Sequence, residues 1–237
     1  MNKIQAICIA STNGKCLPVM MKSIEAYVPD DVVIYLALQI DSIDFHSRNH
    51  IIHLTKNNAN SFGKAYNKVC NWAFERYDTI MICNDDIVFN PDTCNQLQNN
   101  WNILHEYYPN QVGYLACRSN YARGKQNIRW HENNAKIQGL KYRHEFSITD
   151  EDTIAPICAV ISKDSWVDFE DINLFSDDIQ CAEIIKKGKK HFVSTAYVHH
   201  VGSQSIGEPL NEIKDALNHL KEINSPYYKQ IAALYEE

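Results

Sequence analysis

The sequence predicts an α/β protein: a single domain on a mostly parallel sheet flanked by helices. Short apolar runs of strand length alternate along the chain with segments of helical period, the pattern of repeated βα units. A length of 237 residues leaves room for one such domain or two small ones. With 45% hydrophobic and 22% charged residues, the composition is that of ordinary globular material, which excludes disorder and fibrous repeats.

Each element has its own warrant. Ile4 to Ala10 reads as the first strand, Leu17 to Tyr27 as a helix, Val32 to Leu38 as the second strand and Ile51 to Leu54 as a short third. After Ser61, a suitable N-cap, the apolar residues Phe62, Ala65, Tyr66, Val69, Trp72 and Ala73 recur at helical spacing. Thr79 to Cys83 is apolar on both faces and therefore belongs inside the sheet. Asn90 as cap and Pro91 as first residue announce the next helix, with Leu97, Trp101 and Leu104 on one face. Val112 to Cys117 is a further strand. Residues 118–148 have weak periodicity and read as a long, functional loop region. Ala155 to Ile161 returns to the sheet, Ser176 caps a helix that ends at Gly188, and His191 to His200 is the last strand. A helical segment from Asn211 to Ile223 and a short tail around Tyr227 to Leu234 close the chain. No repeat or linker divides it, so residues 1–100, 101–208 and 209–237 are two halves and a C-terminal helical segment of one domain.

Lys and Arg number 23 against 29 Asp and Glu, a net charge of −6. That balance argues against nucleic acid or an anionic membrane as the main partner, so an anionic ligand must be held locally. The longest apolar stretches, VVIYLAL from Val32 and IAPICAVI from Ile154, fall far short of the roughly 20 residues of a membrane span. The N-terminus reads as a strand rather than a signal peptide. Eight cysteines without a CxxC pair, half of them inside apolar strands, are the usage of buried free thiols. A cytoplasmic location is the expectation.

The stretch IMICNDDIVFNP, Ile80 to Pro91, carries the most chemistry. Ligands of open α/β sheets bind at the carboxyl ends of strands, where Asn84, Asp85 and Asp86 lie. Two adjacent carboxylates there repel unless a cation or hydrogen-bond donors satisfy them, and no Lys or Arg occurs between Arg76 and Arg118. A divalent metal is the economical solution; a turn whose acids cap the next element is the alternative.

The order of a first strand ending in IASTN, a helix, a strand, the segment SFGKAYNKV, an apolar strand and NDD resembles the GT-A glycosyltransferases, in particular the family 2 type. The resemblance implies a fold with a nucleotide-sugar-binding half over residues 1–100 and an acceptor and catalytic half over 101–208. It makes NDD a DxD-type motif holding Mn²⁺ or Mg²⁺, with Asp86 as metal ligand and Asn84 and Asp85 on the nucleotide or ribose. Ser11, Thr12 and Asn13 then meet the nucleotide, and Asp41 falls loosely at the place of a base-contacting acid. Gly63 and Asn67 match the family's glycine and asparagine, and Lys64 reaches a phosphate or the base. Alternatively, Lys64 and Asn67 are ordinary solvated helix residues.

Two further motifs extend the resemblance. SDDIQCAEIIKKG, residues 176–188, is similar to the family's acidic pair before an amphipathic helix, which makes Asp178 the catalytic base and Asp177 the runner-up. Acids in a first helical turn also stabilise the helix dipole by about 0.3 to 1 kcal/mol each, and that alone would account for them. HHVGSQS, residues 199–205, is similar to a metal- or diphosphate-binding histidine loop. It implicates His200, with His199 second; a hydrogen-bonded structural histidine is the alternative. The aromatics Trp130, His131, Tyr142 and Trp166 are available to stack on an acceptor sugar, with a core role the alternative for tryptophan. The basic run RSNYARGKQNIRW is read as an ordinary solvated loop.

The activity this implies is transfer of a hexose from a nucleotide sugar, UDP-glucose or UDP-galactose, to a saccharide or other hydroxyl acceptor with inversion. It also implies a minimal enzyme with no membrane anchor. A sugar-phosphate nucleotidyltransferase and a non-catalytic nucleotide- or carbohydrate-binding module are the alternatives. HExxH, GxSxG and GxGxxG are absent, which removes zincin, α/β-hydrolase and dinucleotide-fold readings.

Overall fold

The computed structural model describes residues 3–39, 47–54, 59–130, 141–142, 147–201 and 209–235. The strands are β1 (Ala6–Ser11), β2 (Val33–Leu38), β3 (Ile51–Leu54), β4 (Thr79–Asn84), β5 (Ile87–Phe89), β6 (Val112–Ser119), β7 (Arg129–Trp130), β8 (Lys141–Tyr142), β9 (Thr149–Glu151), β10 (Cys158–Ser162) and β11 (Lys190–His200). The α-helices are α1 (Leu17–Tyr27), α2 (Phe62–Phe74), α3 (Thr93–Tyr107), α4 (Ser176–Lys186), α5 (Pro209–Glu222) and α6 (Tyr228–Ala232).

One mixed sheet forms the centre, in the order β3-β2-β1-β4-β10-β6-β11-β5, with β9 paired to β11; β7 and β8 make a separate ribbon. Strands β1, β2, β3 and β4 run parallel, and because β10 is antiparallel to both β4 and β6, β6 and its parallel partner β11 share their direction. Within this sheet, among the described residues, β10, β9 and β5 run the other way. The carboxyl ends of β1, β4 and β11 therefore open on one edge.

Alternation along the strands sends side chains to two cores. Ile7 and Ile9 meet α1 and α3 through Leu17, Met20, Ile24, Leu97 and Trp101 on one face. Ala6 and Cys8 meet α2 and α4 through Tyr66, Val69, Ala73, Cys181 and Ile184 on the other. Each large apolar side chain so buried contributes about 1.5–3 kcal/mol, and together they hold the strand ends rigid. A third, smaller core of Ile172, Ile179, Ala216, Leu220 and Ile231 fastens α5 and α6 to the domain. The cysteines are free thiols, with Cys8, Cys83, Cys117 and Cys158 fully buried.

Several element boundaries depart from the expectations. Helix α3 starts at Thr93 rather than Pro91, because the Asn90 N–H donates to Thr93 Oγ1 at 3.0 Å while that hydroxyl donates to the Tyr197 carbonyl at 2.6 Å. Strand β5, only three residues long, intervenes before it. Ser176 is the first residue of α4 rather than its cap: its hydroxyl donates to the Glu170 carbonyl at 2.9 Å, and Phe175 occupies the cap position with φ +66°. Within the region read as loop, residues 118–119 complete β6 and Gly124–Gln126 form a 3₁₀ turn.

Candidate functional site

At the shared strand edge lies a cavity of about 790 Å³. Its wall is assembled from Ser11 and Thr12 at the end of β1, Asn84, Asp85 and Asp86 at the end of β4, Arg123 after β6, Asp177 and Asp178 at the start of α4, and His200 at the end of β11. Gln39, Ala59, Phe62 and Tyr66 continue the lining beside β1 and α2.

The β4 end is a built carboxylate site. Asp85 is buried, and the Ser11 hydroxyl donates to its Oδ2 at 2.5 Å. Burial pushes the Asp85 carboxyl above the usual carboxylate range against that hydrogen bond, and the neighbouring Asp86 charge adds to the rise. Tyr66, buried on α2, donates its hydroxyl to the Cys83 carbonyl at 2.8 Å and so fixes the strand end that carries the motif.

Asp86 Oδ1 lies 3.1 Å from His200 Nε2. The other ring nitrogen, Nδ1, is 2.6 Å from the Tyr121 carbonyl, an acceptor, and must carry a proton to satisfy it. That leaves the Nε2 lone pair facing a carboxylate, two acceptors that meet comfortably only across a proton or a cation. Without a cation, burial lowers the His200 pKa, but the contacts with Asp86 and the Tyr121 carbonyl outweigh it and the net shift is upward. An imidazole nitrogen beside a carboxylate also suits a divalent ion such as Mn²⁺. Among the described residues no group of three or more His, Cys, Asp or Glu side chains is arranged to hold a metal, so further ligands would have to come from water or a bound phosphate.

A second part of the wall is an arginine fork. Arg123 donates Nη1 to Asp178 Oδ1 at 2.5 Å and Nη2 to Asp177 Oδ2. Asp177 is the less exposed carboxylate, 19% against 37% for the Asp178 side chain. Burial pushes the Asp177 carboxyl up to about 6, although Arg123 opposes the shift.

A single turn joins the two walls. Asn120 is buried at the end of β6; its Oδ1 accepts the His200 N–H at 2.7 Å and its Nδ2 donates to the His200 carbonyl at 2.9 Å. Residues 120–123 thus grip His200 by backbone and ring at one end and hold the acidic pair at the other.

Of the residues singled out from sequence, the fold brings Ser11, Thr12, Asn84, Asp85, Asp86, Asp177, Asp178 and His200 to the cavity. Asn13, Lys64, Asn67 and His199 are not among its lining residues. The Asn13 Oδ1 instead accepts the Lys15 N–H at 3.0 Å. Lys64 pairs with Asp171 at 3.7 Å. Asn67 spends its amide on the Phe169 backbone, at 2.8 Å to the carbonyl and 2.7 Å from the N–H, so its work is to tie α2 to the segment leading to α4. Gly63 serves the same junction: a Cβ there would lie 1.8 Å from the Glu170 carbonyl oxygen. His199 is exposed on the far face of β11, with Nδ1 3.4 Å from the Tyr197 hydroxyl. Asp41 and His131 lie outside the described residues. Trp166 packs on Phe74 and Phe169 at 5.5 Å from each, partly buried against the second core and not among the residues lining the cavity.

Two arginines of the basic run depart from the solvated loop that the sequence predicts. Arg118 is 3% exposed and donates to the Lys125 and Ser147 carbonyls at 3.0 and 3.1 Å. Arg123 is part of the site. A signal existed for it: two acids at one helix start need a partner, and Arg123 stands in an otherwise small and polar stretch, NYARG.

No family model matches the sequence, and no curated protein sequence does. Solved structures do share the architecture. The S. aureus TarS 1–349 structure in complex with UDP-GlcNAc aligns with TM-score 0.59 and 14% identity, over 98% of this chain and 71% of that one. TarS 1–349 alone aligns with TM-score 0.57 and 13% identity, over 94% and 66%. TarS is a GT-A-type glycosyltransferase. The chain has a GT-A fold. Against the longer S. aureus TarS structure the GT-A alignment has TM-score 0.56 and 12% identity, over 99% of this chain and 46% of that one. The chain therefore spans between about half and about seven tenths of the length of these structures.

Proposed function

We propose that the protein is a glycosyltransferase that moves a sugar from a UDP-sugar to an acceptor hydroxyl. The observation that carries this reading is the convergence, in one cavity at the sheet edge, of the Asp85–Asp86–His200 group and the Asp177–Asp178 pair. One end offers a place for a diphosphate with a cation, and the other offers a carboxylate base. UDP and UDP-GlcNAc complexes of a structure with this fold support a uridine nucleotide sugar as donor. UDP-glucose, UDP-galactose and UDP-GlcNAc are the donors to test.

In this reading Asp86 and His200 would hold Mn²⁺ or Mg²⁺, which would supply Lewis-acid stabilisation of the leaving diphosphate. Ser11, Thr12, Asn84 and Asp85 line the nucleotide side. The acceptor oxygen forms its bond to the anomeric carbon as the bond from that carbon to the diphosphate oxygen breaks, with inversion, and UDP leaves with the bonding pair. Asp178, the more exposed of the two acids, takes the acceptor proton. Arg123 keeps both carboxylates oriented, and Asp177 is the reserve position for the base.

The experiment is UDP release from each donor with Mn²⁺, Mg²⁺ or EDTA, for wild type and Asp86→Ala. Metal-dependent release from one donor that disappears in the variant supports the reading. No release from any donor, together with no metal-dependent UDP binding, overturns it.

A further inference from the structure

One stretch of the cavity differs in chemistry from the carboxylate walls. Leu174, Phe175, Ile213 and Tyr235 line it, with Glu212 alongside. Phe175 has φ +66° and ψ −2°, the left-handed region that bulky L residues avoid. Such a conformation is strained and persists only where the surroundings over-determine it. Here it lets the chain turn into α4, so that a ring on the cavity wall stands two residues before Asp177. The Phe175 ring meets that of Tyr235, centroids 5.7 Å apart and planes inclined at 58°. Tyr235 is 47% exposed, which leaves ring surface open beside the cavity. It follows α6, which the third core fixes in place, so the pair is held from two separate parts of the chain.

Nothing in the proposed donor chemistry uses these rings. The nucleotide side is accounted for by the ends of β1, β2 and β4, and the diphosphate by Asp86 and His200. We propose that Phe175 and Tyr235 form the acceptor subsite, a platform for the apolar C–H face of a neutral saccharide ring. The inference rests on the glycosyltransferase reading and names its acceptor class. Aromatic rings offer a face to such a sugar, and Glu212 and Asp178 offer carboxylate oxygens to its hydroxyls. Glu212 Oε2 already accepts the Asn173 amide at 2.8 Å, which orients it on that wall. Neutrality follows from charge: an anionic acceptor would meet Glu212, Asp177 and Asp178, and the one guanidinium among them is engaged by the last two.

The test combines two measurements on wild type, Tyr235→Ala and Phe175→Gly, the last chosen because glycine accepts the left-handed backbone. A glycan array of neutral and anionic saccharides is probed with each protein in the presence of UDP and Mn²⁺, and UDP affinity is measured by calorimetry. The expected result is retention of neutral glycans by wild type, a loss of about tenfold in both variants and an unchanged UDP affinity. Three results overturn the proposal while UDP still binds wild type: no glycan retained, glycan binding unchanged in both variants, or UDP affinity falling in parallel with glycan binding. The last would give the rings to the nucleotide. Failure of wild type to bind UDP would remove the glycosyltransferase reading itself.

Discussion

Two buried histidines on the same strand separate scaffold from site. His191 and His200 stand near opposite ends of β11, 1% and 7% exposed. His191 Nδ1 accepts the Tyr114 N–H at 3.0 Å, and its Nε2–H donates to the Cys181 carbonyl at 3.1 Å. A neutral ring satisfies both partners, and burial holds its pKa below the usual value. His200 faces two acceptors instead, the Tyr121 carbonyl and Asp86. Similar burial on one strand yields one ring that is complete and one that needs something more. The polarity of the partners, and not burial or position in the strand, distinguishes them.

The largest effect is expected at the His200 end. His200→Ala should lower metal-dependent turnover by about 10²–10³-fold, the size of losing a transition-state charge stabiliser, while loss of the bond to the Tyr121 carbonyl should cost only about 1 kcal/mol of stability. A steady-state assay and a melting curve on the same sample check both halves. Unchanged turnover would reduce His200 to a second structural histidine.

Breaking the other end should do the reverse. His191→Phe leaves the buried Tyr114 N–H and Cys181 carbonyl without the ring partners they now have, and should cost about 2–4 kcal/mol in denaturant unfolding. Mn²⁺-dependent UDP binding by the folded variant should stay at the wild-type level. Asn120→Ala lies between the two. Loss of its two bonds to the His200 backbone should cost about 1–2 kcal/mol of stability and also weaken Mn²⁺ binding, read by electron paramagnetic resonance.

Smallest of these effects is the pH dependence of His191. The unfolded ring takes a proton near its ordinary pKa of about 6.5, whereas the folded ring resists it to lower pH. Stability from this residue is therefore complete above about pH 6.5 and declines as pH falls toward the folded pKa, at no more than about 1.4 kcal/mol per pH unit. His191→Gln should flatten that slope between pH 7 and 5. An identical slope in variant and wild type would contradict the neutral-ring account.

The same distinction explains what the sequence reveals. Period and composition are local properties, so βα alternation, the buried run of β4 and the helix from Ser61 were legible, as were motifs whose chemistry sits in adjacent residues, such as Asp85–Asp86 and Asp177–Asp178. Strand β5 was not, because three residues are too few to display an alternation. Neither was the reversal of β10, since a fully buried strand has the same apolar pattern in either direction. Lys64 and Asn67 carry functional residue types at the start of α2, but spacing does not say whether that turn faces the cavity or the Phe169 segment. Arg123 and Asn120 act only because the turn after β6 approaches α4 and β11 in space. The partners that separate His200 from His191 likewise come from other elements.

Calorimetric titration of UDP into wild type and His200→Ala, each with Mn²⁺ and with EDTA, tests the central claim most directly. The account predicts that Mn²⁺ tightens UDP binding to wild type by at least about tenfold, roughly 1.4 kcal/mol, and leaves binding to the variant nearly unchanged. UDP affinity that is the same with Mn²⁺ and with EDTA in wild type would contradict it.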